Sequence, residues 1–207
     1  VRPGLQNWNR EEALAYFGFD PALPTLAVAG GSKGARSINM ALLEVLPELL
    51  EEMQIIHLTG HLDWETVEEN TKSLPQGLAA RYQAFPYLHE IGSALAAADL
   101  IVSRAGASTL GEYPLFGLPA ILVPYPHAWR YQKVNASYLE GHGAAEILRD
   151  EDLADLLYDR VHNLITDHAR LSEMSQAMAA LATPDAADKI ARLIQELAGD
   201  SDGGKPA

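Results

Sequence analysis

Two turns in this chain are built from residues whose main-chain atoms could grip an anion. The first, Gly30-Gly31-Ser32-Lys33-Gly34-Ala35-Arg36, lies between an apolar run and an amphipathic stretch. The second, Arg104-Ala105-Gly106-Ala107-Ser108-Thr109, follows the run Asp99-Leu100-Ile101-Val102. A helix that starts after such a turn offers unpaired N–H groups and roughly half a positive charge, which suits phosphate. Two such turns in one α/β domain point to a ligand with paired phosphates, a nucleotide above all. In the first turn, Gly31 and Ser32 would let N–H groups approach a phosphate, with the Ser32 hydroxyl as a further donor. The plain alternative is a tight turn and nothing more. Lys33 and Arg36 read as solvated charges on a helix face. The stretch has neither the full G-x-G-x-x-G fingerprint nor the Gly-Lys-Ser/Thr order of a P-loop.

Other chemistry competes for the same residues. Gly30 to Gly34 also fits G-x-S-x-G, which would make Ser32 a nucleophile with His127 or His142 downstream. That elbow normally follows several strands, whereas this turn follows the first. In the second turn, Gly106 and Ala107 are small enough for close approach. Thr109 and Glu112 form a capping-box pair, so Glu112 either caps its own helix or accepts two hydrogen bonds from a ribose diol. Arg104 suits a phosphate or a neighbouring carboxylate. Beyond the proline-stiffened loop Pro124-Tyr125-Pro126-His127, Gln132 and Asn135 fall on one helix face, where amides suit sugar hydroxyls or stay as ordinary surface groups. The histidines show no metal-ligand spacing, so no metal site is expected.

The elements that must position these residues follow from periodicity. Thr25–Ala29, Gln54–Leu58, Ala79–Ala84, Leu100–Val102, Pro119–Val123 and Ala144–Leu148 read as strands, with helical patterns between and after them. Strands alternating with helices predict a Rossmann-like α/β fold, a parallel sheet of about six strands covered on both faces. Ligands bind beyond the carboxyl ends of such strands, where both glycine turns lie. Asn9 with Glu12 caps a short first helix. Residues 199–207 have the composition of a disordered tail.

Bulk properties exclude several classes. The 207 residues are 48% apolar, enough for one substantial core. A net charge of -13 argues against a nucleic-acid surface. The absence of cysteine removes disulfides, thiolate metal sites and cysteine nucleophiles. No apolar run approaches the roughly 20 residues of a membrane helix. The chain opens without a signal peptide or an initiator methionine, and is expected to be a fragment.

Taken together the segments resemble the MurG family of two-domain GT-B glycosyltransferases, over nearly the whole chain but only the family's C-terminal half. Gly30 through Asn39 is similar to its GGSxGAxxxN turn, Ser103 through Glu112 to its second signature, and Leu118 through Pro124 with Gln132, Asn135 and Ala136 to its third. The resemblance implies inverting transfer of N-acetylglucosamine from UDP-N-acetylglucosamine to the lipid-linked muramyl-pentapeptide of peptidoglycan. It implies no metal or cofactor, and peripheral attachment at the cytoplasmic face of the bacterial membrane. Residues 1–22 would be an interdomain linker segment and short helix, and residues 23–198 the UDP-sugar-binding domain. The acceptor and the general base would belong to a missing N-terminal domain, so this half alone is expected to be inactive.

By the same resemblance, Arg2 reaches toward the donor and Ser32 meets the diphosphate. Tyr87 lies beside uracil and the Leu88 backbone reads the base edge. Ala107, Ser108 and Thr109 hold phosphate, Glu112 binds ribose and Gln132 a sugar hydroxyl. Of the rings in Phe85-Pro86-Tyr87, Tyr87 is chosen for stacking. Tyr131 stands where the family usually carries His or Gln. Two further readings are a non-catalytic UDP-sugar-binding subunit that needs a membrane partner, and an α/β-hydrolase using Ser32.

Overall fold

A computed structural model describes residues 4–31, 34–127 and 131–200, the last two without their side chains. The six strands are β1 Thr25–Ala29, β2 Gln54–Leu58, β3 Tyr82–Phe85, β4 Leu100–Ser103, β5 Ala120–Leu122 and β6 Ala145–Ile147. They form one sheet in the order β3-β2-β1-β4-β5-β6, every neighbouring pair parallel. Parallel strands need crossover connections, and those crossovers cover both faces.

The helices are α1 Arg10–Phe17, α2 Arg36–Glu52, α3 Trp64–Thr71, α4 Gln76–Ala79, α5 Ile91–Ala97, α6 Thr109–Phe116, α7 Tyr131–Gly141, α8 Leu153–Thr166, α9 His168–Ala180 and α10 Ala186–Asp200. The helix α10 runs into the first two residues of the expected tail, whose remainder lies outside the described residues.

Alternation along the central strands decides which helix meets which face. Leu26 and Val28 of β1, with Leu100 and Val102 of β4, pack under α2 (Ile38, Leu42, Leu46, Leu49) and α8 (Leu157, Val161, Leu164). Ala27 and Ile101 face the other way, against Leu95, Tyr113, Leu139 and Met178 of α5, α6, α7 and α9. A third cluster joins Ala13, Leu14 and Phe17 of α1 to Ile56, Leu88, Ala94 and Ala97. As expected, the Asn9 side chain caps α1, accepting from the Glu12 N–H at 2.9 Å.

The sheet order reverses direction between β1 and β4. From β1 the chain crosses to β2 on one side, and from β4 to β5 on the other. Adjacent strands whose connections leave in opposite directions open a crevice at their carboxyl ends.

Candidate functional site

The crevice is a cleft of about 1320 Å³. Gly30, Gly31 and Gly34 line it from the end of β1, and Gly106, Ser108 and Thr109 from the end of β4. The two turns, far apart in the sequence, thus share one cavity. The first turn closes on itself, with Gly34 N–H donating to the Gly31 carbonyl at 2.9 Å. Gly34 has φ +78°, and a Cβ there would lie 2.3 Å from the Thr59 carbonyl oxygen. Only glycine fits a position that is both left-handed and pressed on neighbouring backbone. Ser32 and Lys33, and with them the hydrolase reading's nucleophile, lie outside the described residues, as does Arg2.

The second turn is held from within. The Thr109 hydroxyl donates to the Gly106 carbonyl at 2.6 Å. Ser108, not Thr109, is the N-cap of α6, so the capping box falls out of register. Beneath it, Ser103 Oγ and the Tyr113 hydroxyl share a buried 2.8 Å hydrogen bond. Burial pushes the Tyr113 phenol well above its usual range. Glu112, one turn into α6, lines the cleft.

Two residues of the expected site are not among those that line the cleft. Asn135 spends its amide on the turn itself, Nδ2 donating to the Ala105 carbonyl at 3.0 Å. Ala107 is exposed, and neither residue lines the cleft. Gln132 does line it, and its Oε1 accepts from the Tyr125 N–H at 2.8 Å, which leaves Nε2 as the donor it can offer. Tyr131 is exposed and stands clear of the lining.

Arg104 suits either a phosphate or a carboxylate by type, and the structure gives it a carboxylate. Its side chain, 11% exposed, donates to Asp150 at 2.5 Å, to Ser37 Oγ at 2.7 Å and to the Val123 carbonyl at 3.1 Å. The guanidinium also lies 5.2 Å over the Tyr125 ring. The start of α2 and the loops after β4, β5 and β6 are thereby clipped together.

At the other end of the cleft, Tyr87 is 40% exposed and stacks on His61, with ring centroids 6.3 Å apart and planes 10° apart. His89 meets it edge-on at 4.9 Å. Phe85 turns away into the Phe17 cluster at 5.9 Å, so Tyr87 is the ring available to a planar ligand. Leu88 is buried and lines the same end. His127 borders the cleft, while His142 sits just past the end of α7, beside the Tyr138 carbonyl. Among the described residues no three His, Asp or Glu side chains gather as metal ligands.

Arg36 corrects the reading of a merely solvated charge. It lines the cleft, and its guanidinium donates at 2.7 Å to Asp63, whose side chain is 4% exposed. Sequence reasoning misses Asp63, Ser37 and Asp150. The available signal is Arg36 itself, since a cation at a helix N-terminus opposes the dipole and calls for an anion nearby.

Residues 25–190 match the model of the glycosyltransferase family 28 C-terminal domain. The chain belongs to that family. Within it, the glycosyltransferase domain is 42% identical over 218 residues to the UDP-N-acetylglucosamine--N-acetylmuramyl-(pentapeptide) pyrophosphoryl-undecaprenol N-acetylglucosamine transferase of Roseiflexus sp. (strain RS-1). That match takes in 95% of this chain and 49% of the relative. The enzyme of the same name from Acidothermus cellulolyticus is 43% identical, over 91% of this chain and 52% of the relative. The family 28 domain therefore spans about half the length of the curated relatives it matches. Its fold is similar to Acinetobacter baumannii MurG, with a TM-score of 0.75 at 26% identity, covering 93% of this chain and 54% of that one.

Proposed function

We propose that the chain is the donor-binding half of an inverting transferase that moves N-acetylglucosamine from UDP-N-acetylglucosamine to a lipid-linked muramyl-pentapeptide. The observation that carries this reading is the convergence of both glycine turns and Glu112 on one cleft at the β1/β4 reversal. The names of the relatives supply the substrate pair, and the cleft has room for a nucleotide sugar.

In this reading residues 23–198 are the donor domain. The diphosphate lies between the two turns, against N–H groups of Gly31 and Ser108 and the Ser32 hydroxyl. Glu112 accepts from the ribose diol, Tyr87 stacks on uracil, and Gln132 donates to a sugar hydroxyl. An acceptor hydroxyl attacks the anomeric carbon while the bond to the UDP oxygen breaks on the opposite face. Negative charge builds on the departing diphosphate, so donors fixed in advance favour the transition state over the ground state. The acceptor and the base that takes its proton belong to the other half of the enzyme, which works at the cytoplasmic face of the membrane. No helix among the described residues is long and apolar enough to cross a membrane, in keeping with peripheral attachment.

Calorimetric titration of the chain with UDP-N-acetylglucosamine, UDP and ADP tests the reading. Both uridine ligands should bind, and ADP should bind at least tenfold more weakly (about 1.4 kcal/mol). Equal affinity for ADP would refute it.

A further inference from the structure

Two guanidinium groups line the cleft among the described residues, and they are in opposite states. Arg104 is 11% exposed and engaged with Asp150, Ser37 and Val123. Arg36 is 67% exposed and uses NH1 on Asp63. A guanidinium has five N–H donors in a rigid fork, so most of the Arg36 fork still faces the cleft.

Behind Arg36 runs a buried hydrogen-bond chain. Asp63 Oδ2 accepts from Asn39 Nδ2 at 2.9 Å, and the same Nδ2 donates to the Thr59 carbonyl at 2.8 Å. With both Nδ2 protons committed, Asn39 Oδ1 must accept, and it meets His57 Nε2 at 3.0 Å. That assigns the proton to Nε2, so Nδ1 accepts from the Tyr82 hydroxyl at 2.7 Å. The order Tyr82, His57, Asn39, Asp63 is therefore directional, every donor aimed toward the carboxylate, which Arg36 meets from the cleft side. Asn39, His57 and Asp63 are all buried. The chain also fixes Thr59, whose carbonyl is the surface that Gly34 presses on. One network thus sets both the glycine turn and the cation beside it.

We propose that Arg36 is a phosphate-binding residue of the cleft, held on station by Asp63 and the Asn39–His57–Tyr82 chain as positioning residues. The inference rests on the donor-site reading above and adds to it the cation for the departing diphosphate. A guanidinium anchored at one end gives up less freedom on meeting a phosphate than a loose one does. It stands at the first residue of a 17-residue helix, where a cation alone opposes the dipole but a cation shared with a bound anion does not.

The experiment is titration of wild type, Arg36→Ala, Arg36→Lys, Asp63→Asn and the Arg36→Ala/Asp63→Asn double variant with UDP, UMP and uridine. Arg36→Ala should weaken UDP roughly tenfold to a hundredfold and flatten its salt dependence, while uridine affinity stays within about twofold. Arg36→Lys should recover part of the loss. Asp63→Asn should weaken UDP as well, and the double variant should lose no more than Arg36→Ala, because Asp63 acts through Arg36. Retained uridine binding shows that each variant keeps its cleft. UDP affinity unchanged in Arg36→Ala, or additive losses in the double variant, would overturn the assignment. Wild type that binds no uridine ligand would instead remove the donor-site reading itself.

Discussion

Gly34→Ala should be among the most damaging single-methyl changes available in this protein, and its cost divides into two parts. At φ +78° an alanine is forced into the left-handed region, at about 1–2 kcal/mol. The new Cβ also lies 2.3 Å from the Thr59 carbonyl oxygen. That oxygen is held by Asn39, so relief requires backbone movement, at about 1–3 kcal/mol as in an overfilled core. A chain of this size loses about 2–4 °C of Tm per kcal/mol, so Gly34→Ala should melt roughly 4–20 °C lower. Gly31→Ala is the matched control. It has φ +80° with nothing among the described residues within 4 Å of an added Cβ, so it bears the conformational cost alone and should lose roughly 2–8 °C. Scanning calorimetry of the two variants side by side reads the difference directly. Equal melting temperatures would mean that contact between the glycine turn and Thr59 does not hold the turn in place.

Two further outcomes follow from the same residues. Burial takes the His57 pKa from 6.5 down to about 3, so its share of stability is complete above about pH 6.5 and drains away as pH falls toward 3. Urea midpoints followed from about pH 7 to about pH 4 should therefore fall less steeply in His57→Gln than in wild type, and parallel curves would contradict this. Glu112→Gln should weaken UDP binding about tenfold to a hundredfold, the range for a hydrogen bond to a charged group. Unaltered UDP affinity by calorimetry would take Glu112 out of the site.

The sheet is readable in the sequence wherever a strand is buried on both faces. Thr25–Ala29 and Leu100–Ser103 are largely apolar because helices cover both sides, and each ends at a turn of small residues. The sequence pattern starts the third strand too early, at Ala79. That residue closes α4, a single turn with too few residues for any periodicity, and the strand starts at Tyr82. At the site, the residues that bring bare backbone to the cleft are legible because turns are local. The ion pairs are not. Arg36 meets Asp63 across 27 positions and Arg104 meets Asp150 across 46, distances at which local spacing is silent. His57 is equally opaque, since its role depends on Asn39 and Tyr82 arriving from two other elements. Asn135 is legible as an amide near the cleft but not as the prop of a neighbouring turn, because that depends on how α7 is docked.

The third hydrophobic cluster lies partly ahead of the segment that the family 28 domain model matches. The family match begins at residue 25, yet tight packing begins at Leu5 and runs through Phe19. A gene trimmed to the matched segment would uncover Ile56, Leu88, Ala94 and Ala97, and would strip Asp99 of Arg10, whose guanidinium donates to the same carboxylate oxygen as the Thr25 N–H. Anyone expressing this domain by itself therefore has to keep the residues ahead of the first strand as part of its own interior.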